Sequence, residues 1–375
     1  MRQWLATLSV IAVGMAAVGA PEARTESRPL WVQGGAGIHR LELDDETGAL
    51  AGPEALEAFA GSSWLVAHPT RNVVFSSRGG EVAGIGYYTF DAGGTLTELG
   101  RRALPGGAPT HIAISADGRI LATAHYGSGT VSVMRLGDPA VIGADGITTL
   151  ALPFIGSGSS RAQQQARAHW LGFRADGRRL DVVDLGNDCV WTLAVDEEAT
   201  ALTITTRLEF PAGTGPRHMA FAPDGEWAYV NGELDSTVHL LRPAADGIGY
   251  ERVAGWSTLP ADHDEPSNST SEVRVHPSGR FLYVGNRGHD SIAVFSIDAD
   301  DGTLTAVEQE PVRGSWPRNF VIDPSGRWLV VAGRHSNTVA VFAIDAETGR
   351  LSFVRRSIVN VPDPVRVLFV PKARE

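Results

Sequence analysis

The sequence predicts an all-β fold, a seven-bladed β-propeller built from four-stranded blades. Three observations predict it: a recurring turn, apolar strands on both sides of that turn, and chain ends that read as two parts of one blade. The turn reads SADGR at residues 115–119, RADGR at 174–178, APDGE at 222–226, HPSGR at 276–280 and DPSGR at 323–327. A degenerate copy, HPTRN, lies at 68–72. A period near fifty with a strand before and after each turn is that of a propeller blade. The 43 glycines and 21 prolines agree with a chain of many turns.

The elements follow in chain order. Residues 1–23 read as a signal peptide: Arg2 supplies a positive start, Leu5 to Val18 is an uncharged apolar run, and Ala17, Val18 and Gly19 are small residues at a cleavage site. The run is short for a membrane span. The expectation is an exported protein, periplasmic or extracellular, with no membrane attachment after cleavage and residues 24–375 forming one propeller domain. Residues 30–50 read as a blade lacking its first strand, and 364–371 (PVRVLFVP) as that strand alone. The C-terminal strand should therefore join the N-terminal blade, close the ring and remove a free sheet edge. Residues 156–165 and 262–271 are polar linkers that precede inner strands, so they should lie at the mouth of the channel.

Around each turn the apolar residues alternate, as in Met219-Ala220-Phe221, which is the period of a half-buried strand. The residues that start each inner strand read Ser63/Trp64, Thr110/His111, His169/Trp170, Arg217/His218, Ser271/Glu272, Arg318/Asn319 and Val365/Arg366. The second strands end on the same face with Tyr126, Glu233, Arg287 and Arg334. One mouth thus collects arginines, histidines and two carboxylates. Arginines that converge on one cavity repel one another unless carboxylates or an anionic ligand offset them.

Composition narrows the function. The 32 basic and 43 acidic residues give a net charge of −11, which disfavours nucleic acid and anionic membranes as partners. Cys189, the one cysteine, sits in an apolar strand-like run and reads as a small buried hydrophobe. There is no Gly-rich phosphate loop, no H-E-x-x-H and no G-x-S-x-G elbow. No metal and no cofactor is predicted. His125, His239, His263, His289 and His335 read as surface residues.

The segments GPRHMAF, APTHIAI, WPRNF, NGEL, HWLGFRADGRRLDVVDLGND and SEVRVHPSGRFLYVGNRGHDSIAVF together resemble the propeller-type lactonase family, which includes bacterial 6-phosphogluconolactonases and carboxymuconate cyclases. The resemblance implies a seven-bladed propeller with its active site at the channel mouth. It carries the family's motif residues onto His169, Arg217, His218 and Glu233 as catalytic candidates. Arg287, Glu272, Arg274, Arg318 and His111 are the substrate-binding candidates from the ring. Arg167 and Arg274 stand where the family often has histidines. The expected activity is hydrolysis of a sugar lactone or related ester ring by a monomer, with a small anionic or sugar-lactone substrate. The alternatives are cycloisomerisation of a carboxymuconate-type diacid and a non-catalytic ligand- or protein-binding propeller. Export predicts a mature chain that begins between Ala20 and Arg24; N-terminal sequencing of protein from the native cell checks this, and an intact Met1 start on soluble protein contradicts it.

Overall fold

Each recurring turn places its glycine in the left-handed region: φ is 74° at Gly118, 66° at Gly177, 78° at Gly225, 76° at Gly279 and 78° at Gly326. A side chain is strained there, which is why glycine recurs at this point. The turn joins an inner strand to its antiparallel neighbour, and two further strands complete the sheet. The computed structural model describes residues 27–374, apart from 59–62, 138–141, 157 and 264–266. The predicted signal segment lies outside the described residues.

Seven sheets form the ring. Blades II to VII have as inner strands Leu65–Ala67, His111–Ile114, Ala168–Phe173, Pro216–Phe221, Ser269–Val275 and Pro317–Ile322. Blade I is composite. Its inner strand is Pro364–Phe369, and its other three are Ser27–Gly34, Gly37–Asp44 and Leu50–Ala58. Leu30 pairs with Phe369 and Gln33 with Arg366, so the one-plus-three closure expected from the chain ends is present. Blade VII differs from the simple four-strand pattern. Its outer edge is split into Leu351–Phe353 and Val359–Asn360, both paired with the third strand Thr338–Ile344.

Apolar side chains fill the wedges between blades. Leu30, Val32, Val367 and Phe369 of blade I pack with Trp328, Val330, Val339 and Val341 of blade VII, and this cluster seals the ring. A second device recurs between neighbours. An aromatic side chain on the second strand donates to a turn carbonyl of the next blade: Trp31 Nε1 to Gly94 O at 2.8 Å, Tyr229 Oη to Gly302 O at 2.8 Å, and Tyr283 Oη to Gly349 O at 2.8 Å. Trp328 Nε1 does the same across the seam, to Asp45 O at 3.2 Å. His68 and His276 brace the inner turns, each placing Nε2 at 2.9 Å from the turn-glycine carbonyl of the following blade, Gly118 or Gly326.

Two expectations need correction. His125 and His239 are buried rather than on the surface. Each lies on a strand in a Thr-x-His step whose threonine hydroxyl is 2.9 Å from the imidazole Nε2 (Thr123 and Thr237), so a same-face neighbour satisfies the ring. Cys189 is buried as expected.

Removing residues 364–375 deletes the inner strand of blade I and exposes sheet edges on both sides of the gap. The expected result is aggregation or loss of cooperative unfolding, read by size-exclusion chromatography and calorimetry. A truncated chain with unchanged melting and solubility contradicts the closure described here.

Candidate active site

The mouth residues owe their placement to irregularities in the strands. In a regular strand adjacent side chains point to opposite faces. Here the inner strands of five blades shift register at the mouth. Pro216 pairs with Gly232 but Met219 with Val230, so Arg217 and His218 together face Asn231 alone. His169, the Ser271–Glu272 pair, Arg318 and Val365 sit at matching shifts. These are β-bulges, which re-aim side chains and often lie beside active sites. The result in blade V is that both Arg217 and His218 face the channel, with Arg217 Nη1 2.9 Å from His218 Nε2. Side chains satisfy the backbone amides that the shifts free. Asn231 Oδ1 accepts from His218 N at 3.0 Å, and Asp184 Oδ1 accepts from Arg167 N at 2.7 Å.

All nine predicted site residues converge on the channel, in two tiers. In the outer tier Glu233 bridges two guanidinium groups: Oε2 lies 2.8 Å from Arg217 Nε and Oε1 lies 3.1 Å from Arg287 Nη2. His169 Nε2 is 3.9 Å from Glu233 Oε2, and its Nδ1 is buried with no protein partner. Arg318 lines a narrow recess of about 10 Å³ at the floor of the mouth with Ser63, Trp64, Thr110, His169, Arg217, His218 and Val365. In the inner tier Glu272 gathers His218 Nδ1 at 3.1 Å, Arg274 Nε at 3.4 Å and the Asn319 amide. His111 lies between Trp64 and Trp170, with ring centroids at 4.0 and 5.5 Å.

The donors assign a tautomer to His218. A guanidinium can only donate, so His218 Nε2 accepts from Arg217 Nη1 and Nδ1 carries the proton given to Glu272. Both nitrogens are committed. Glu272, His218 and Arg217 form a chain that holds the Arg217 guanidinium in place, helped by the Ser271 carbonyl. His169 and His111 each keep a nitrogen without a partner, and of the two His169 is the one beside Glu233.

Electrostatics separates the groups. Burial alone would raise Glu233, but the Arg287, Arg217 and Arg318 cations outweigh it and hold the carboxyl below its ordinary value. His169 lies well below its ordinary value through burial and the Arg217 cation, and His218 and His111 do so chiefly through burial. The three imidazoles are therefore neutral at pH 7, and Glu233 is ionised. Burial, with Arg287 nearby, pushes Arg217 down to about 10. Among the described residues no group of three or more His, Cys, Asp or Glu side chains is arranged to hold a metal ion.

Several contributors escaped the sequence reading. Asn231, Asn319 and Asp184 support the shifted strands, and only the register shows that. Trp316 lies under Arg287, with the guanidinium 5.5 Å from the ring centre; its place just before Pro317 and Arg318 in the inner-strand entry was the available signal. Arg334 was placed on this face but pairs with Asp363 away from the recess. Arg167 does not enter the recess either. It lies over the Tyr126 ring at 4.8 Å and donates to the Tyr126 carbonyl.

Residues 16–369 match the family described as "Lactonase, 7-bladed beta-propeller". The chain is 32% identical over 292 residues to a 6-phosphogluconolactonase of Bacillus subtilis, covering 77% of this chain and 82% of that one. Among solved structures it is similar to a periplasmic gluconolactonase of Pseudomonas aeruginosa, with a TM-score of 0.85 and 26% identity over 92% of this chain and 100% of that one. A Lactobacillus plantarum protein matches with a TM-score of 0.84 and 28% identity, over 92% and 100% of the two chains.

The neutral histidines link stability to pH. His125 and His239 are held down to about 4 by burial, alongside His111, His169 and His218. The unfolded chain takes up protons near 6.5 while the folded chain does not, so stability is full above that pH and is lost as pH falls toward the folded values. Each such histidine contributes up to about 1.4 kcal/mol per pH unit in that window. Melting temperature should fall between pH 7 and 5, and His239→Gln should make the decline shallower. A slope identical to that of the unaltered protein would contradict burial of a neutral His239.

Proposed function

Because the chain belongs to the seven-bladed β-propeller lactonase family, we propose that it hydrolyses a sugar lactone at the channel mouth. The observation that carries this reading is one neutral imidazole, His169, with an uncommitted nitrogen beside a carboxylate-bridged pair of guanidinium groups. Opening a lactone needs an activated water on one side of the carbonyl and a cation for the oxyanion on the other.

His169 is the general base. It takes a proton from water as the water oxygen bonds to the lactone carbon. Glu233, 3.9 Å away, stabilises the imidazolium so formed, as a carboxylate does in other acid–base pairs. Arg217 carries the developing oxyanion, held for that task by the chain from Glu272 through His218. When the ring C–O bond breaks, His169 returns its proton to the ring oxygen and the product leaves as a hydroxy acid. Glu233 and His218 are then positioning residues: the first is kept ionised by its arginines, and the second has no free nitrogen. The similarity to a periplasmic gluconolactonase and the apolar run near Met1 support action outside the cytoplasm. Among the described residues no helix is long and apolar enough to cross a membrane.

Turnover on a lactone panel, with spontaneous hydrolysis subtracted, tests the reading. His169→Ala should cost about 10²–10⁴-fold in kcat with little change in melting. Glu233→Gln should lower both turnover and melting, because it leaves Arg217 and Arg287 without their counter-ion. Arg217→Lys should be harmful despite keeping the charge, since a point cation does not replace a planar fork. Normal turnover in both the His169 and Glu233 variants ends the catalytic reading. The pH profile of kcat/KM supplies an independent check. With the His169 imidazole held below its ordinary value, activity should stay level from pH 7.5 to 6.5 and fall only at lower pH. An acidic limb already complete at pH 7 would contradict His169 as the base.

A further inference from the structure

The mouth holds more positive charge than the protein neutralises. Arg217, Arg287 and Arg318 surround one carboxylate, Glu233, and Glu233 pairs with the first two. Arg318 has no ion pair or hydrogen bond among the described residues, yet it lines the recess beside His169 and Arg217. A guanidinium keeps its proton, and three of them at one mouth repel. The strain shows in Arg318, which burial and the Arg217 and Arg287 cations push well below its ordinary value. The neutral imidazoles add no charge. In the outer tier three guanidinium groups against one carboxylate leave an excess of two positive charges, while in the inner tier Glu272 faces Arg274 and Arg366.

We infer that Arg318 is the subsite for a fixed carboxylate carried by the lactone substrate, separate from the ester group that reacts. This rests on the lactonase reading above. During hydrolysis the water oxygen bonds to the carbonyl carbon, the ring C–O bond breaks, and the water proton passes through His169 to the ring oxygen. The reacting group carries one negative charge as the oxyanion, and carries one again as carboxylate once the second water proton, left on the new acid, is released to solvent. A substrate with one fixed carboxylate therefore ends with two negative charges, which match the excess. A phosphate dianion would bring the total to three and would find one unpartnered guanidinium, whereas phosphate recognition rewards several donors on its oxygens. A neutral sugar lactone would leave Arg318 unanswered.

Three probes test this: glucono-1,5-lactone, which is neutral; glucaro-1,4-lactone, which carries a free carboxylate; and 6-phosphogluconolactone. The unaltered protein should have its highest kcat/KM on the carboxylate-bearing lactone. Arg318→Gln should reduce the ratio of kcat/KM for that lactone over the neutral one by about 10- to 100-fold, the range for losing a charge-assisted hydrogen bond. Arg318→Lys should restore part of it, and melting should confirm that each variant folds. Equal losses on both lactones, or preference for the phosphorylated one, overturn the assignment. If no lactone is turned over, the lactonase reading fails, and calorimetry with the ring-opened acids decides the subsite separately. Arg318-dependent binding of glucarate, tighter than gluconate or 6-phosphogluconate, then supports it; any other order overturns it.

Discussion

Closing the ring forces seven inner strands to converge on one axis, and the mouth chemistry follows from that constraint. Convergence brings Arg217, Arg287 and Arg318 together from three different blades, with the first two buried and the third half-buried. Glu233 makes the cluster tolerable by bridging two of the three at 2.8 and 3.1 Å. Removing one partner from such a buried pair costs far more than the pair contributes. The carboxylate is thus committed to its arginines, which leaves the imidazole beside it as the proposed base.

Much of the fold was readable because the repeat is local. A Gly-bearing turn with alternating strands names its own blade, and the chain ends name the composite one. The ring positions were readable for the same reason: counting back from each turn glycine finds His169, Arg217, His218, Glu272 and Arg318 without any knowledge of contacts. The bulges were not readable. A one-residue register shift leaves no compositional mark at Pro216–Met219, yet it decides that Arg217 and His218 face the same way. The roles of His218 and Glu233 were hidden for a related reason. Which nitrogen is free, and which carboxylate is already paired, depend on partners from other blades. His125 and His239 were misread because polarity alone says nothing about a threonine two residues earlier on the same strand face.

The two departures from the family pattern have different consequences. Arg167 is turned away from the recess onto Tyr126, so the charge it introduces stays outside. Arg274 is half-exposed and meets Glu272 at 3.4 Å, so its charge is offset within the inner tier. Neither adds an unmatched cation beside His169. The excess charge at the mouth comes from residues that belong to the ring itself.

The composite blade also bears on how the chain is made. The strand that completes blade I follows every other strand of the ring in the chain, while its partner, Ser27–Gly34, precedes them all. Contacts so distant in sequence form late and slowly. During synthesis blades II to VII can each build from contiguous chain, but the sheet that seals the circle waits for Pro364–Phe369. The growing polypeptide is therefore an open arc with unpaired edges until that strand emerges. During that interval the edges are open to pairing with other chains, and Pro364–Phe369 acts as the latch that ends it.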